Sequence, residues 1–387
     1  HSLELIRQLS GQHKLTAGIE TQLAQRTDGN PLYIEELIRS LTNEETLSEL
    51  TTQHSQPLNS QTIPSSLQAS FTARLDSVGH AKQIAQIAAC IGRTCSYEML
   101  KTIISNKNLL DSALETLVDA EILIAQQGPS GAHYIFKHAL LRDSAHESIP
   151  KKPRQIYHGE IARHLVRQFA GLTADEIIAY HYKEARDNES AAAYFSRAGD
   201  RAGLNFHNKE AENHYRNALK MVLKSEQTEE RLQAELDNLL KLGSILITIT
   251  GFGSDDVNSI YSRAEEICGD ITNSALRFSA VAGLETYNLF RARYDEGIKK
   301  SQQLIDLAEK AQDEALQVQG NLAMGTNLFW KGSHQKAETH FLDAIKGYQF
   351  ERHHQRLQVT SRDLGVASHC HYSTLLNFLC KADTGEK

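Results

Sequence analysis

Apolar residues recur at helical spacing along most of the chain. Leu32, Ile34, Leu37, Ile38 and Leu41 make a stripe behind a Gly29-Asn30-Pro31 turn, and Pro31, with its preset φ, is placed to start that helix. Leu67, Phe71 and Leu75 mark a helix opening at Pro64-Ser65-Ser66. A second is predicted from about His80 to Ile91 and a short third from Ser96 to Ile103. A fourth, about Asn108 to Ala120, carries Leu109, Leu110, Ala113, Leu114, Leu117 and Val118. Two β-like runs follow, Ile122 to Gln126 and His133 to Phe136, separated by the hairpin-tip chemistry of Gly128-Pro129-Ser130-Gly131. A last helix begins near His138. Helices followed by a small β-hairpin predict a winged-helix-like module.

Proline placement divides the chain. All six prolines precede residue 154 and the rest has none, as packed helices require, because proline removes a helix donor and clashes with the preceding turn. The proline-free part also repeats. Ala211, Val257, Gly297 and Ala337 are each followed four residues later by Tyr215, Tyr261, Ser301 and Phe341, and seven later by Ala218, Ala264, Leu304 and Ala344. Small, bulky, apolar at i, i+4, i+7 is one helix face: the small residue admits a neighbouring helix and the bulky one fills the gap. Recurrence near every 40 residues predicts helical hairpins stacked as a solenoid, with Ser301 the departure from its pattern. Gly332 suits a tight corner before Ala337. The expected domains are therefore 1–50, helical; 51–62, a polar linker; 63–150, winged-helix-like; and 151–387, helical repeats. The fold class is mainly α.

Composition narrows the setting. The 387 residues contain 40% hydrophobic and 23% charged residues, enough for two or three cores. A net charge of −7 gives no long-range attraction for nucleic acid or anionic lipid. Five scattered cysteines (Cys90, Cys95, Cys268, Cys370, Cys380) without a C-x-x-C pair fit reduced thiols in a cytoplasmic protein. No apolar run approaches the roughly 18 residues of a membrane span. The chain opens His-Ser-Leu, with neither Met nor signal peptide, and is expected to be an excised piece of a longer protein.

Several strings, in order, resemble the ATPase–tetratricopeptide (TPR) portion attached to bacterial class III adenylate/guanylate cyclases and related kinases and regulators, within the signal-transduction ATPases with numerous domains (STAND). They are Arg26-Thr27-Asp28-Gly29-Asn30-Pro31-Leu32-Tyr33-Ile34-Glu35-Glu36-Leu37, Ile63-Pro64-Ser65-Ser66-Leu67-Gln68-Ala69 with Ala73-Arg74-Leu75-Asp76, and Phe136-Lys137-His138-Ala139-Leu140-Leu141-Arg142-Asp143. Ala193-Tyr194-Phe195, Arg197-Ala198-Gly199, Asn327-Leu328-Phe329-Trp330, and Tyr348 with Glu351-Arg352-His353 continue the series. The resemblance covers nearly the whole chain. It implies a helical lid remnant of the ATPase core, a winged-helix-like domain and TPR-like repeats. It also implies ATP/ADP and Mg in the complete parent, an upstream ATPase core and a protein or peptide on the repeat groove. No G-x-x-x-x-G-K-[ST] occurs here; Gly251-Phe252-Gly253-Ser254 has no following Lys. Without amides and a lysine around the phosphates, the chain is expected not to be an enzyme and to hold no cofactor by itself.

By the same resemblance, Gly29, Asn30 and Pro31 form the lid motif whose proline lies near the adenine. The plainer reading is a helix-start turn. His138 resembles the winged-helix histidine that faces the ADP phosphates, with Arg142 one turn on; a cap or packed histidine is the alternative. A DNA-contacting role for the 108–120 helix is disfavoured because Asp111, Glu115 and Asp119 share one face, although Lys107 precedes it. His369-Cys370-His371 cannot readily converge on one ion from a helix, nor can His353-His354, so no metal site is assigned. Trp330, Tyr287, Phe290 and Phe329 are read mainly as core, with a groove role the alternative. No catalytic set is nominated. Competing readings are a STAND-type transcription regulator or kinase segment with DNA binding elsewhere, and an enzyme complete in these residues.

Overall fold

The computed structural model describes residues 1–10, 15, 17–41, 66–128, 131–168, 174–269, 274–353 and 363–379. The linker 51–62, Ile63 to Ser65, the hairpin tip Pro129-Ser130, His354 and Cys380 lie outside them. Among the described residues there are 20 helices and one three-stranded sheet, so the protein is mainly α. No described helix is long and apolar enough to cross a membrane. Contacts divide the chain into two units, 1–173 with 184–186, and 174–183 with 187–387.

The first unit opens with α1 (Ser2–Ser10), α2 (Ala17–Thr27) and α3 (Pro31–Leu41). Ile6, Leu23, Tyr33, Ile34, Leu37 and Ile38 form their shared apolar core. Asn30 caps α3, its Oδ1 accepting from the amides of Leu32 and Tyr33 at 3.1 and 3.2 Å. The preceding Gly29 has φ +74, a left-handed conformation that glycine adopts without steric cost.

Next come α4 (Leu67–Ser77), α5 (Ala81–Ile91), β1 (Thr94–Ser96), α6 (Tyr97–Ile103), α7 (Lys107–Asp119), β2 (Leu123–Gly128), β3 (Gly131–Phe136), α8 (Ala139–Glu147) and α9 (Lys151–Gln168). Side-chain caps set the helix starts: Ser66, Ser96 and Asn106 accept from Ala69, Met99 and Leu109 amides. The sheet is antiparallel in the order β1-β3-β2, with Cys95 opposite Tyr134 and Ile124 opposite Ile135. The elements run two helices, a strand, two helices, a hairpin and two further helices. The strand β1 is an addition to the sequence reading: at three residues it shows no alternation, and it exists through pairing with β3. Phe71, Leu75, Ile84, Leu100, Leu110, Leu117 and Phe136 are among the core residues enclosed by these elements, each burial stabilising by about 1.5–3 kcal/mol. The helix α9 lies mostly past the last proline, yet it packs against α5 and α6 of this unit. Pro153 sits in its first turn, where the missing amide has no intrahelical partner to lose.

The second unit contains α10 (Asp175–Glu184), whose last residue, Glu184, belongs to the first unit, and four hairpins: α11 (Asn188–Leu204) with α12 (Asn208–Val222), α13 (Glu229–Thr250) with α14 (Asp255–Ile267), α15 (Ser274–Phe290) with α16 (Tyr294–Ala311), and α17 (Glu314–Trp330) with α18 (His334–Gly347). A short α19 (Phe350–His353) precedes α20 (Leu364–Phe378), which packs on α17 and α18. All twelve residues of the small–bulky–apolar pattern are buried.

The bulky residues meet glycines. A Cβ at Gly199 would fall 2.6 Å from the Tyr215 ring, one at Gly243 or Gly283 at 2.7 or 2.3 Å from the Tyr261 ring, and one at Gly325 at 2.7 Å from the Phe341 ring. Each aromatic wedge therefore seats on bare backbone of the facing helix, which lets the helices approach closely while leaving no void. At the third hairpin the wedge is replaced. Ser301 is fully buried, and Asn327 Nδ2 donates to Glu285 Oε1 at 2.5 Å and reaches Ser301 Oγ at 3.4 Å. The departure at Ser301 is thus compensated by a buried polar trio drawn from α15, α16 and α17.

Candidate functional site

Around His138 the first unit gathers charge from helices that are distant in sequence. Glu36 on α3 is 2% exposed and pairs with Arg74 on α4 at 2.5 Å, while Arg74 also donates to the Ala120 carbonyl at 2.7 Å. Glu121 receives Arg39 at 2.5 Å and Lys137 at 2.6 Å. The Lys137 hydrogen bond holds the Glu121 carboxyl below the usual carboxylate range. Lys137 lies 3.7 Å from Glu35 as well. These pairs tie α3, α4 and the end of β3 together.

His138 begins α8 with extended backbone and makes no side-chain cap; its ring lies 6.3 Å from that of Phe71. Burial lowers its pKa, partly opposed by Glu35 and Glu36, so the neutral imidazole is favoured at neutral pH. Its Nε2 is buried without a hydrogen-bond partner, and so is Arg142 Nε one turn along the same helix. Arg142 otherwise pairs with Asp143 at 2.6 Å, and its charge acts on His146. Gly29, Asn30 and Pro31 build the start of α3, the helix whose Glu35 and Glu36 act on His138. Glu35, Glu36 and Arg74 carry no motif of their own and stand in the sequence only as parts of matching strings, and Glu121 lies outside those strings.

The acidic helix of the sequence reading is α7. Glu115 and Asp119 are exposed, whereas Asp111 accepts from the Tyr97 hydroxyl at 2.7 Å. His369 and Cys370 are exposed on α20, while His371 turns inward and meets the Phe341 ring edge-on at 5.9 Å. The trio does not converge.

Another grouping was not visible in the sequence. Cys90 at the end of α5, His146 at the end of α8 and His158 in the middle of α9 bring Sγ and two ring nitrogens within 4.8 Å of one another. The His146 and His158 Nε2 atoms are 3.3 Å apart.

In the second unit the reading of four aromatics as core holds for Tyr287, which is 2% exposed, and for the half-buried Phe329. It is corrected for Phe290 and Trp330, which are 59% and 60% exposed. Both are the last residues of their helices, where the side chain projects past the neighbouring turn. Leu204, Phe206, Phe252 and Phe378 are exposed at the corresponding ends of α11, α13 and α20. Phe252 and Phe290 stack at 4.6 Å, and Phe378 meets Phe329 edge-on at 5.2 Å. Successive hairpins thus carry apolar side chains at the same end, an arrangement suited to apolar segments of another polypeptide.

Residues 1–48 match the model of a domain of unknown function (DUF8739). An uncharacterized protein of Rhizobium meliloti (strain 1021) is 25% identical over 326 residues, covering 82% of this chain and 30% of the relative. The chain therefore spans under a third of that relative's length. Among solved structures, a STAND protein with a tetratricopeptide repeat sensor from Pyrococcus horikoshii is 12% identical with a TM-score of 0.35, covering 99% of this chain and 58% of its own. NprR in complex with its cognate peptide NprX is 12% identical with a TM-score of 0.39, covering 75% and 73%.

Proposed function

We propose that this chain is a non-catalytic regulatory and protein-interaction segment of a multidomain cytoplasmic signalling ATPase. In this reading the TPR-like repeats dock a protein or peptide. The winged-helix-like module and the lid helices pass the docked state to an upstream ATPase core, and from there to a nucleotide cyclase. The observation that carries the interaction role is the run of exposed apolar side chains, Leu204, Phe206, Phe252, Phe290, Trp330 and Phe378, at one end of successive hairpins. The ordered motif strings support the ATPase context. In the complete parent, His138 and Arg142 would contact a nucleotide phosphate and Pro31 would lie near the base. A bound nucleotide would supply a charge that differs between its di- and triphosphate forms, and the orphaned donors of α8 would respond to it. Glu36–Arg74 and Glu121–Arg39 would pass that response to α3.

A peptide library displayed against the full chain tests the docking role. Aromatic and aliphatic peptides are expected to be selected, with affinity falling at least tenfold in a Phe290→Ser/Trp330→Ser variant. Selection of nothing, or peptides indifferent to that change, defeats the reading. ATP turnover by the purified chain, abolished by a substitution within it, would overturn the non-catalytic part. The second reading, a STAND-type transcription regulator or kinase segment, is favoured only in the form where DNA is contacted elsewhere, because Glu115 and Asp119 are exposed on α7. Strong retardation of DNA by this chain at physiological salt would reverse that ranking.

A further inference from the structure

Three helices of the first unit bring a thiol and two imidazoles to one point. Cys90 and His158 are almost wholly buried, at 3% and 0% exposure, and half-buried His146 is the least enclosed of the three. Two nitrogen ligands about 2.0–2.1 Å from one zinc-class ion at a tetrahedral angle stand roughly 3.3–3.4 Å apart. The His146 and His158 Nε2 atoms are 3.3 Å apart, their rings at 78° to each other, as for two imidazoles approaching one ion from different directions. A hydrogen bond between the rings accounts for the nitrogen spacing alone. It does not account for a third, soft donor, Cys90 Sγ, that lies within 4.8 Å of a ring nitrogen of each histidine.

We propose that Cys90 Sγ, His146 Nε2 and His158 Nε2 form a binding site for a single zinc-class divalent cation, with solvent in the fourth position on the His146 side. One thiolate and two neutral imidazoles select a borderline-soft ion over calcium or magnesium, which prefer oxygen. Coordination forms one metal–sulfur and two metal–nitrogen bonds. All but one water of the aquo ion leave, the Cys90 proton goes to solvent, the proton between the two Nε2 atoms shifts to Nδ1 of its ring, and no atom changes oxidation state. Without metal, burial pushes the Cys90 thiol up to about 12 and lowers the His146 imidazole, so the thiol stays protonated and the histidine neutral. Arg154 and Glu184 act on both groups with opposite sign, so neither charge alone sets the site. Because the ligands come from three separate helices, a bound ion would staple the ends of α5 and α8 to α9.

Cobalt(II) is the probe. The full chain is expected to take up one equivalent, with a thiolate-to-cobalt charge-transfer band and the intense visible bands of a tetrahedral centre. Zinc is expected to displace it and to raise the thermal midpoint. Cys90→Ser should lose the charge-transfer band, His146→Ala should lose the tetrahedral bands, and Cys95→Ser, another buried thiol, should keep both. Should C90S fold poorly, the more exposed H146A carries the test. No retained metal and no charge-transfer band in the wild-type chain would show a histidine pair packed beside a thiol and overturn the proposal. The same follows if the bands persist unchanged in H146A.

Discussion

In the middle of a helix, alanine in place of glycine normally stabilises by about 1 kcal/mol. At Gly325 the added methyl would fall 2.7 Å from the Phe341 ring, in a joint whose ring is fully buried. Overpacking of that kind costs about 1–3 kcal/mol, so Gly325→Ala is expected to destabilise despite its better helix propensity. Urea unfolding checks the sign, and a raised midpoint would refute the ring-on-glycine account. Asn327→Ala removes the amide that donates to the buried Glu285 carboxylate. A loss of about 1–3 kcal/mol is expected, with the same assay as the measure. Burial lowers the His181 pKa to about 4 from an ordinary 6.5. The folded value lies below the unfolded one, so the stabilising contribution is complete above pH 6.5 and is lost as pH falls towards 4. It is on the order of 3 kcal/mol. His138, His146, His164 and His340 shift in the same direction for the same first cause. His181→Asn should therefore shallow the slope of stability against pH in this window without removing it. An unchanged slope would count against the burial argument.

At the scale of elements, the sequence was most legible where a cap and a stripe coincide. The boundaries of α3, α6 and α7 fall within a residue or two of their predicted limits, because Asn30, Ser96 and Asn106 supply acceptors where the apolar stripe begins; α5 matches as well, without a side-chain cap. The repeat face was legible too, since wedge and flanking small residues share one helix. The partners of the wedges were not. Gly199, Gly243, Gly283 and Gly325 stand on facing helices and recur every 40 to 44 residues. A second search at the repeat period would have found them. The polar cluster around His138 draws on α3, α4 and the hairpin, and charges on an amphipathic helix look the same in sequence whether solvated or buried. His138 itself was found through resemblance and not through any spacing. Cys90, His146 and His158 have no motif because each lies on a different helix. The Glu36–Arg74 pair shows the energetic consequence of such hidden contacts. Arg74→Met would leave a carboxylate that is 2% exposed without its cation, costing about 3–5 kcal/mol. Thermal unfolding should show that loss, largely recovered in a Glu36→Met/Arg74→Met double variant. Equal stability of wild type and R74M would remove the pair from the list of contacts holding α3.

At the scale of the whole molecule, the second unit behaves as a row of neighbours, where each hairpin is stabilised by the next. The last helix, α20, covers α17 and α18: Leu364 and Leu375 join Phe341, Val318 and Leu322 in one apolar cluster. Deleting residues 363–379 is expected to lower hydrogen-exchange protection in α17 and α18 while α11 to α14 keep theirs. Uniform loss across the unit would mean that it folds as one block and not by nearest-neighbour coupling.

Within that row the joint at Ser301 differs in kind from its neighbours. A ring lifted off a glycine exposes oily surface to water and leaves a hole behind, whereas a carboxylate, an amide and a hydroxyl that part company find water ready to replace each other. Stretched between its two ends in an optical trap, the solenoid should yield first between α15 and α17. A hinge would then sit halfway along an otherwise stiff spring.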